Sequence, residues 1–340
     1  MDLIVLLFSL FIVFLGIGIT RIQKIRPAVE NTYSIVIACR NEEQNLPELF
    51  RSLENIIYPQ NLYEIIIADD ASTDHSTDLL QEFAQRSNNV SVVFLEKKDK
   101  FFKGKKAALK AAIDKAKKDI LLFTDADCLP DKYWLSSYNN YFSETVAMVI
   151  GFSPELTNKS FRRFTQNINA GLYAATTGLG IPFSCTGRNF ALKRAVFYQI
   201  GGYDSFSEEV AGDDKLLLNL IYKKKYKIAY NAEAPVFTKS PTNYLEQQKR
   251  RYSKFLQQRL PYQLLSILIL LFYLYLPIQF YLHPLSAVYY LLAVVFFWTA
   301  NINLHNLKFS LIDLFFCCIF PYFMILFSFW GTFSRWKWKT

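Results

Sequence analysis

Two aspartates placed two residues apart form the first candidate site for chemistry. Asp125 and Asp127 follow the apolar run Ile120–Thr124 in the segment ILLFTDADCLP. In an extended chain, residues i and i+2 point to the same side, so the two carboxylates are expected to lie close together. Such carboxylates repel each other unless a proton or a cation lies between them, and hard oxygen ligands suit Mg²⁺ or Mn²⁺. The pair therefore predicts a divalent-metal site that could bind a substrate phosphate.

Two earlier apolar runs also end in polar residues. The segment YSIVIACRNEE predicts a strand over Ser34–Ala38, and EIIIADDASTD predicts one over Glu64–Ala68. Asp69 or Asp70 could accept a hydrogen bond from a base or ribose, or could instead cap the following helix. Ligands of open α/β sheets bind beyond the carboxyl ends of the strands. We therefore expect these acids and Arg40 to share one edge with the first pair.

A third acidic pair, Asp213 and Asp214, precedes an apolar helical stretch. Acids at a helix N-terminus are favourable because of the helix dipole alone. A carboxylate close to a metal-bound electrophile could also serve as a general base. Both roles are open at this point.

The elements that must position these residues alternate along the chain. Helical segments are predicted after the first strand, over Ser76–Arg86 and in GKKAALKAAIDKAKK, while VSVVFLE and DILLFTDAD predict a third and a fourth strand. This alternation indicates βαβ units, hence an α/β fold with a mostly parallel, Rossmann-like sheet. Because no GxGxxG follows the first strand and no GxxxxGK[ST] occurs, dinucleotide binding and P-loop hydrolysis are disfavoured.

Apolar runs at both ends of the chain predict membrane helices. Leu3–Thr20 is followed by the basic flank RIQKIR, which places the central region in the cytoplasm by the positive-inside rule. Three further runs are Leu264–Leu282, Leu285–Ala300 and Leu311–Trp330. The middle one is the shortest, so one segment could be re-entrant or interfacial. We predict an anchor over 1–22, a central domain over 30–262 and a C-terminal membrane domain of two to three helices over 263–333.

Composition narrows the class of protein. The chain has 340 residues, is 52% hydrophobic and carries a formal net charge of +9, which suits an anionic membrane surface. No recognised nucleic-acid-binding motif is present, so a nucleic-acid partner is not expected. The odd number of cysteines, with no CxxC pair, indicates neither a zinc site nor a disulfide framework. A transporter is disfavoured because the ionisable candidates Asp313 and His283 lie near the ends of the apolar runs.

Taken in order, these motifs resemble the membrane-bound family 2 glycosyltransferases with the GT-A fold, from about Ser34 to Phe255. ACRNEE and DDASTD are similar to that family's nucleotide-binding loops, GKKAALKAA to its Gly-Lys segment and DAD to its metal-binding DxD. TGRNFAL is similar to the segment that lines the donor sugar and acceptor. GDD stands where the family usually has Glu-Asp, and QKRRY resembles Gln-x-x-Arg-Trp with Tyr252 in place of Trp.

The resemblance implies a role for each matching residue. Asp214 would be the catalytic base, with Asp213 in place of the family's Glu, and Asp125 with Asp127 would bind Mg²⁺ or Mn²⁺. The implied donor-binding residues are Ala38, Arg40, Glu42, Asp69, Asp70, Lys105 and Asp125. The residues implied for the acceptor or the diphosphate are Gly187, Asn189, Gln248, Arg251 and Tyr252.

The implied activity is inverting transfer of a hexose or N-acetylhexosamine from a nucleotide-diphosphate sugar, most often a uridine diphosphate sugar in this family. The acceptor would be a lipid or lipid-linked glycan at the cytoplasmic face of the cell membrane. Two alternatives stay open. One is a processive polysaccharide synthase that extrudes its polymer, and the other is a membrane protein that binds nucleotide sugars without catalysis.

Overall fold

The computed structural model describes residues 2–24, 30–96, 105–206, 213–240 and 260–333. The chain divides into two compact units. One unit comprises Gly18–Leu156 and Ala170–Lys239, and the other comprises Met1–Ile17, Thr157–Asn169 and Ser240–Thr340. Helices α1 (Leu3–Thr20) and α6 (Ser160–Gly178) contribute residues to both units.

The first unit is α/β. Its strands are β1 (Tyr33–Cys39), β2 (Tyr63–Asp69), β3 (Val90–Phe94), β4 (Ile120–Asp125), β5 (Cys128–Pro130), β6 (Val146–Gly151), β7 (Glu155–Leu156), β8 (Phe190–Lys193), β9 (Lys227–Asn231) and β10 (Val236–Lys239). Its remaining helices are α2 (Leu46–Glu54), α3 (Ser76–Arg86), α4 (Lys106–Lys115), α5 (Trp134–Asn139), α7 (Arg194–Gln199) and α8 (Asp213–Lys223). The predicted alternation of strands and helices up to β4 is confirmed.

The main sheet has seven strands in the order β3-β2-β1-β4-β8-β6-β9. All its pairs are parallel except the two that β8 makes with β4 and β6, so the predicted mostly parallel sheet is confirmed. The strand order reverses at β1, because β2 lies on one side of it and β4 on the other. Ala38 is paired with Asp125, and Cys39 with Asp69. The carboxyl ends of these strands therefore meet at a topological switch point, where ligands of such sheets bind.

Strand and helix burial explain why these segments fold as they do. The central strands are buried along almost their whole length, as expected for a parallel sheet covered on both faces. Helix α2 buries Leu46, Leu49, Phe50 and Leu53, which follow the period of a single helix face. Phe50 stacks on Phe83 of α3 with 4.0 Å between ring centroids. These contacts hold the first two helices, and the loops that precede them, against the sheet.

The second unit is helical and rich in apolar residues. It contains α9 (Leu260–Leu282), α10 (Leu285–His305) and α11 (Leu311–Phe333). Within the described residues, three helical segments are long and apolar enough to cross a membrane, namely Leu3–Thr20, Gln263–Leu282 and Leu285–His305. A shorter apolar stretch, Leu311–Phe327, lies in α11.

Helix α10 is longer than the sequence predicts. The predicted apolar run is Leu285–Ala300, whereas the helix has 21 residues and ends at His305. Asn301 is fully buried, and its Nδ2 donates to the backbone oxygen of Asn167 at 3.1 Å. A buried hydrogen bond within the unit thus allows a polar residue inside an otherwise apolar helix.

Aromatic packing joins the parts of the helical unit. Phe8 stacks on Phe272 of α9 with 3.7 Å between centroids, and Phe164 lies 5.2 Å from Trp298 of α10. The segment Thr157–Asn169, which the sequence places inside the 30–262 region, therefore packs in the same unit as the terminal helices.

Candidate active site

The loops that follow β1 and β2 are tied to each other by hydrogen bonds. The amide of Asn41 donates to Ser72 Oγ at 3.0 Å, and the amide of Thr73 donates to Asn41 Oδ1 at 2.8 Å. The amide of Glu43 donates to Asp74 Oδ2 at 3.2 Å. The two predicted nucleotide-binding loops therefore form one structure at the carboxyl edge of the sheet.

The two adjacent acids of the second loop have different partners. Asp69 accepts hydrogen bonds from the amide of Ser72 at 3.2 Å and from Thr77 Oγ1 at 2.8 Å. Asp70 Oδ2 lies 3.6 Å from Arg40 Nη1. Asp69 thus connects the loop after β2 to the first turn of α3 through the Thr77 side chain, while Asp70 pairs with Arg40, another residue expected at the donor.

The other residues expected in the first loop lie nearby. Ala38 is paired with Asp125 across the β1–β4 ladder. Glu42 Oε2 accepts a hydrogen bond from Asn45 Nδ2 at 2.6 Å. Ala38 thus lies beside the metal-binding candidate, and Glu42 contributes to the loop conformation.

Asp125 and Asp127 come together, but not through the strand pleat. Strand β4 ends at Asp125, and Asp127 lies in the turn before β5, so the prediction that both belong to one extended segment was wrong. The turn nevertheless brings ligand atoms of Asp125, Asp127 and Cys128 within 4.8 Å of one another. Cys128 Sγ donates to Asp127 Oδ1 at 3.3 Å. Two carboxylates this close offer hard oxygen donors, which fit a divalent cation such as Mg²⁺ or Mn²⁺.

Electrostatics at this turn also favour a cation. Burial raises the pKa of Asp127, the neighbouring Asp125 raises it further, and the positive charge of Arg188 acts in the opposite direction. A cation between the two carboxylates would offset both their burial and their mutual repulsion. Arg188 is not among the residues predicted from the sequence, although its place directly after Gly187 in TGRNFAL was a usable signal.

Lys105, Gly187 and Asp214 converge on the same place. Lys105 Nζ lies 3.0 Å from Asp125 Oδ1. A Cβ added to Gly187 would lie 3.4 Å from Asp214 Oδ2 and 3.5 Å from Lys105 Nζ. The glycine therefore faces the ammonium and the carboxylate, and it leaves space beside them where a side chain would stand.

The N-terminus of α8 orients the candidate base. The amide of Lys215 donates to Asp214 Oδ1 at 2.8 Å, whereas Oδ2 is the atom near Gly187. Asp213 is the first residue of α8, and its side chain lies outside the described part of the structure.

Asn189 lies in the protein core. This corrects the prediction that it lines the acceptor or diphosphate site. Its side chain is fully buried, and its Oδ1 accepts hydrogen bonds from Trp134 Nε1 at 2.9 Å and Tyr138 Oη at 2.7 Å. Its Nδ2 donates to the backbone oxygen of Phe152 at 2.6 Å. Asn189 thus anchors the segment that carries Gly187 to the core.

A comparison with protein families decides the class of this chain. Residues 34–211, just over half of the chain, match the family described as Glycosyl transferase family 2. The chain belongs to glycosyltransferase family 2.

Relatives and a solved structure agree with this family. The chain is 26% identical over 219 residues to the probable glycosyltransferase YdaM of Bacillus subtilis (strain 168), covering 61% of this chain and 50% of the relative. It is 37% identical over 103 residues to an undecaprenyl-phosphate 4-deoxy-4-formamido-L-arabinose transferase of Pseudomonas savastanoi pv. phaseolicola (strain 1448A / Race 6), covering 30% of each. The chain thus spans half or less of these curated relatives.

The fold matches that of the mannosyltransferase PcManGT from Pyrobaculum calidifontis, solved in complex with GDP-Man and Mn²⁺. The TM-score is 0.59 at 18% identity, covering 97% of this chain and 91% of that one. The fold of this family 2 glycosyltransferase is thus GT-A, as the resemblance implied.

Three residues expected to bind the acceptor or diphosphate in this glycosyltransferase lie outside the described residues. These are Gln248, Arg251 and Tyr252. Their roles stay predictions based on the sequence.

Proposed function

We propose that this family 2 glycosyltransferase moves one sugar, with inversion, from a nucleotide-diphosphate sugar to a lipid or lipid-linked acceptor. The observation that carries this proposal is the convergence of Asp125, Lys105 and Asp214 around Gly187. Asp125 and Lys105, which would bind the metal ion and the diphosphate, thus lie near Asp214, whose carboxylate would take a proton. Uridine diphosphate sugars are the first donors to test, for hexosyl and N-acetylhexosaminyl transfer alike.

The diphosphate would be held by charge. Asp125 and Asp127 would hold Mg²⁺ or Mn²⁺, and such an ion, when bound, supplies Lewis-acid stabilisation of the negative charge on the leaving nucleotide. Lys105 would add a positive charge on the same side, and Arg188 another beside Asp127. Arg40 and Asp70 would bind the nucleoside end of the donor through their charged groups.

Asp214 would accept the proton of the acceptor hydroxyl as that oxygen attacks the anomeric carbon. The backbone hydrogen bond to Oδ1 holds the carboxylate and leaves Oδ2 on the side of Gly187. A general base of this kind contributes a factor of about 10² to 10⁴ in rate. Attack opposite the leaving diphosphate inverts the anomeric configuration.

The lipid nature of the acceptor is supported by two observations. In the part of the chain that the structure describes, three helical segments are long and apolar enough to cross a membrane, which supports placement at a bilayer. Relatives of this chain are named as transferases acting on undecaprenyl phosphate. The basic flank with Arg21 and Lys24 supports a cytoplasmic catalytic unit, where nucleotide sugars are available.

Sugar transfer can be tested with the purified full chain in nanodiscs. The protein would be incubated with membrane lipid extract, Mn²⁺ or Mg²⁺ and a panel of nucleotide sugars, and mass spectrometry would detect lipids heavier by one sugar. We expect one sugar adduct that requires the metal ion. Asp214→Asn should abolish it, while Asp78→Asn, at an exposed acid on α3, should not.

Other outcomes would separate the alternatives. A ladder of increasing sugar masses would indicate a processive synthase. Metal-dependent nucleotide binding without any transfer would support a non-catalytic binding protein. Transfer that persists in Asp214→Asn would overturn the assignment of the base.

A further inference from the structure

Lys106 is a buried lysine at the first position of α4. The residue is 2% exposed, although its neighbour Lys105 reaches the partly exposed site beside Asp125. Burying an ammonium group is costly unless hydrogen bonds and nearby charge density compensate for lost water. An apolar side chain would avoid that cost, so the charge at this position calls for a specific partner.

The partner is the end of another segment. Lys106 Nζ donates to the backbone oxygen of Phe206 at 2.7 Å and lies 5.4 Å from the centroid of the Phe206 ring. A charged donor makes a stronger hydrogen bond to a carbonyl than a neutral one, and a cation over a ring face adds further attraction. Both interactions converge on one residue.

Phe206 ends a short 3₁₀ helix, Gly202–Phe206, which lies upstream of α8 in the chain. Its ring meets Tyr203 edge-on at 5.7 Å between centroids, and Tyr203 meets Phe197 of α7 at 5.3 Å. These aromatic contacts hold the turn on the side of α7. Lys106 holds its last residue on the side of α4.

We propose that Lys106 is a positioning residue that ties the 3₁₀ helix Gly202–Phe206, which contacts α8, to the start of α4. Adjacent lysines at this one helix terminus thereby link the two halves of the site. Lys105 contacts Asp125, and Lys106 holds the 3₁₀ helix that contacts α8, the helix of the candidate base. The inference rests on the proposed function, because it assigns Lys106 to the placement of that base.

The charge and reach of lysine are what this role requires. Methionine would fill similar space but could not donate to the Phe206 carbonyl, while arginine keeps the charge and donor capacity. The nearby Lys110, one turn further along α4, pairs with Asp114 at 2.6 Å and has no part in this contact. Lys110→Met is therefore a matched control on the same helix.

Steady-state kinetics of the full chain would measure the effect on catalysis. We expect Lys106→Met to lower kcat by about 10- to 100-fold, since small misplacements of a reacting group have effects of this size, with the donor KM changed by less than about twofold. Lys106→Arg should recover much of kcat, and Lys110→Met should behave as the wild type. An unchanged kcat in Lys106→Met, or a rise in donor KM that accounts for the whole loss, would overturn the proposal.

Hydrogen–deuterium exchange would test the same link without relying on activity. Lys106→Met should speed exchange at residues 202–206 and 213–218, while peptides of β1 and β2 should keep wild-type rates. Exchange that is unchanged at these residues, or faster throughout the unit, would contradict a specific positioning role. If the wild type transfers no sugar, the proposed function fails, and this exchange experiment still decides whether Lys106 holds the segment.

Discussion

The Lys105 ammonium lies 3.0 Å from the Asp125 carboxylate, and both side chains are 33% exposed. A protein cation therefore occupies an oxygen that is also expected to hold a metal ion. A metal ion bound at Asp125 would compete with the Lys105 ammonium for this carboxylate, and a bound diphosphate would contact both cations. Removing the lysine charge is therefore expected to change metal affinity and catalytic activity in different directions, and both can be measured.

Lys105→Met should change these two quantities in opposite directions. Without nucleotide, removing the competing charge should tighten Mn²⁺ binding several-fold, as measured by titration calorimetry. Activity should nevertheless fall by about 100-fold in kcat/KM, because one charge on the leaving diphosphate is lost. Lys110→Met should alter neither quantity. Weaker Mn²⁺ binding in Lys105→Met would show that the lysine supports the metal site instead of competing with it.

Asp127→Asn should make the metal-free protein more stable and should abolish the stabilisation of the protein by Mn²⁺. Burial and Asp125 raise the pKa of Asp127, so the charged carboxylate is unfavourable there without a cation. The neutral amide removes that repulsion, and the melting temperature without metal should rise. Wild-type protein should gain stability from Mn²⁺, and the variant should not, since only a ligand that binds the native state stabilises it. A Mn²⁺-induced rise that survives in Asp127→Asn would place the metal elsewhere.

Gly187→Ala should fold normally and have reduced activity. The added methyl would make ordinary contacts of 3.4 Å to Asp214 Oδ2 and 3.5 Å to Lys105 Nζ, and Gly187 is not in the left-handed backbone region. It would, however, occupy space beside the two groups expected to meet the substrate. We expect kcat/KM to fall by about tenfold, equivalent to about 1.4 kcal/mol, with an unchanged melting temperature. Wild-type kinetics in this variant would mean that substrate does not approach Gly187.

Asn189→Ala should destabilise the protein through its core. Trp134, Tyr138 and the Phe152 backbone would each lose a buried partner, and each such loss costs about 1–3 kcal/mol. Melting followed by Trp fluorescence should show a clear drop in midpoint. Donor KM measured well below that midpoint should stay close to the wild-type value. A stable variant with a raised KM would restore the ligand-contacting role.

Cys39 and Cys128 should resist alkylation in the folded protein. Burial raises the pKa of the Cys39 thiol, and it raises that of the Cys128 thiol well above the usual range. At pH 8 both should remain protonated, whereas the thiolate is the form that reacts with iodoacetamide. Peptide mass spectrometry should find both unmodified in native protein and modified after unfolding. Alkylation of either residue in the native state would contradict this burial.

Local patterns along the chain were enough to predict the first half of the fold. The apolar runs from Ser34 and Glu64, with Ile120–Thr124, predicted strands whose observed bounds differ by one residue at most at each end. The helix over Ser76–Arg86 matches its predicted bounds. These signals are strong because a buried parallel strand needs a continuous apolar run and a helix needs a periodic one. Parallel strand ends share an edge, so the gathering of Arg40, Asp70 and Asp125 there also followed from sequence.

The sequence by itself determined the family, the α/β class and the chemistry available at the strand ends, since these depend on residue types and short spacings. Only the tertiary structure decided which polar residues face the site. Asn189 accepts hydrogen bonds from Trp134 and Tyr138, and Lys106 donates one to Phe206. These partners lie 51 to 100 residues apart in the sequence. Asn301 continues α10 because it is buried against Asn167, far away in the chain. Burial and hydrogen-bond partners are properties of the assembled core, and no local pattern encodes them.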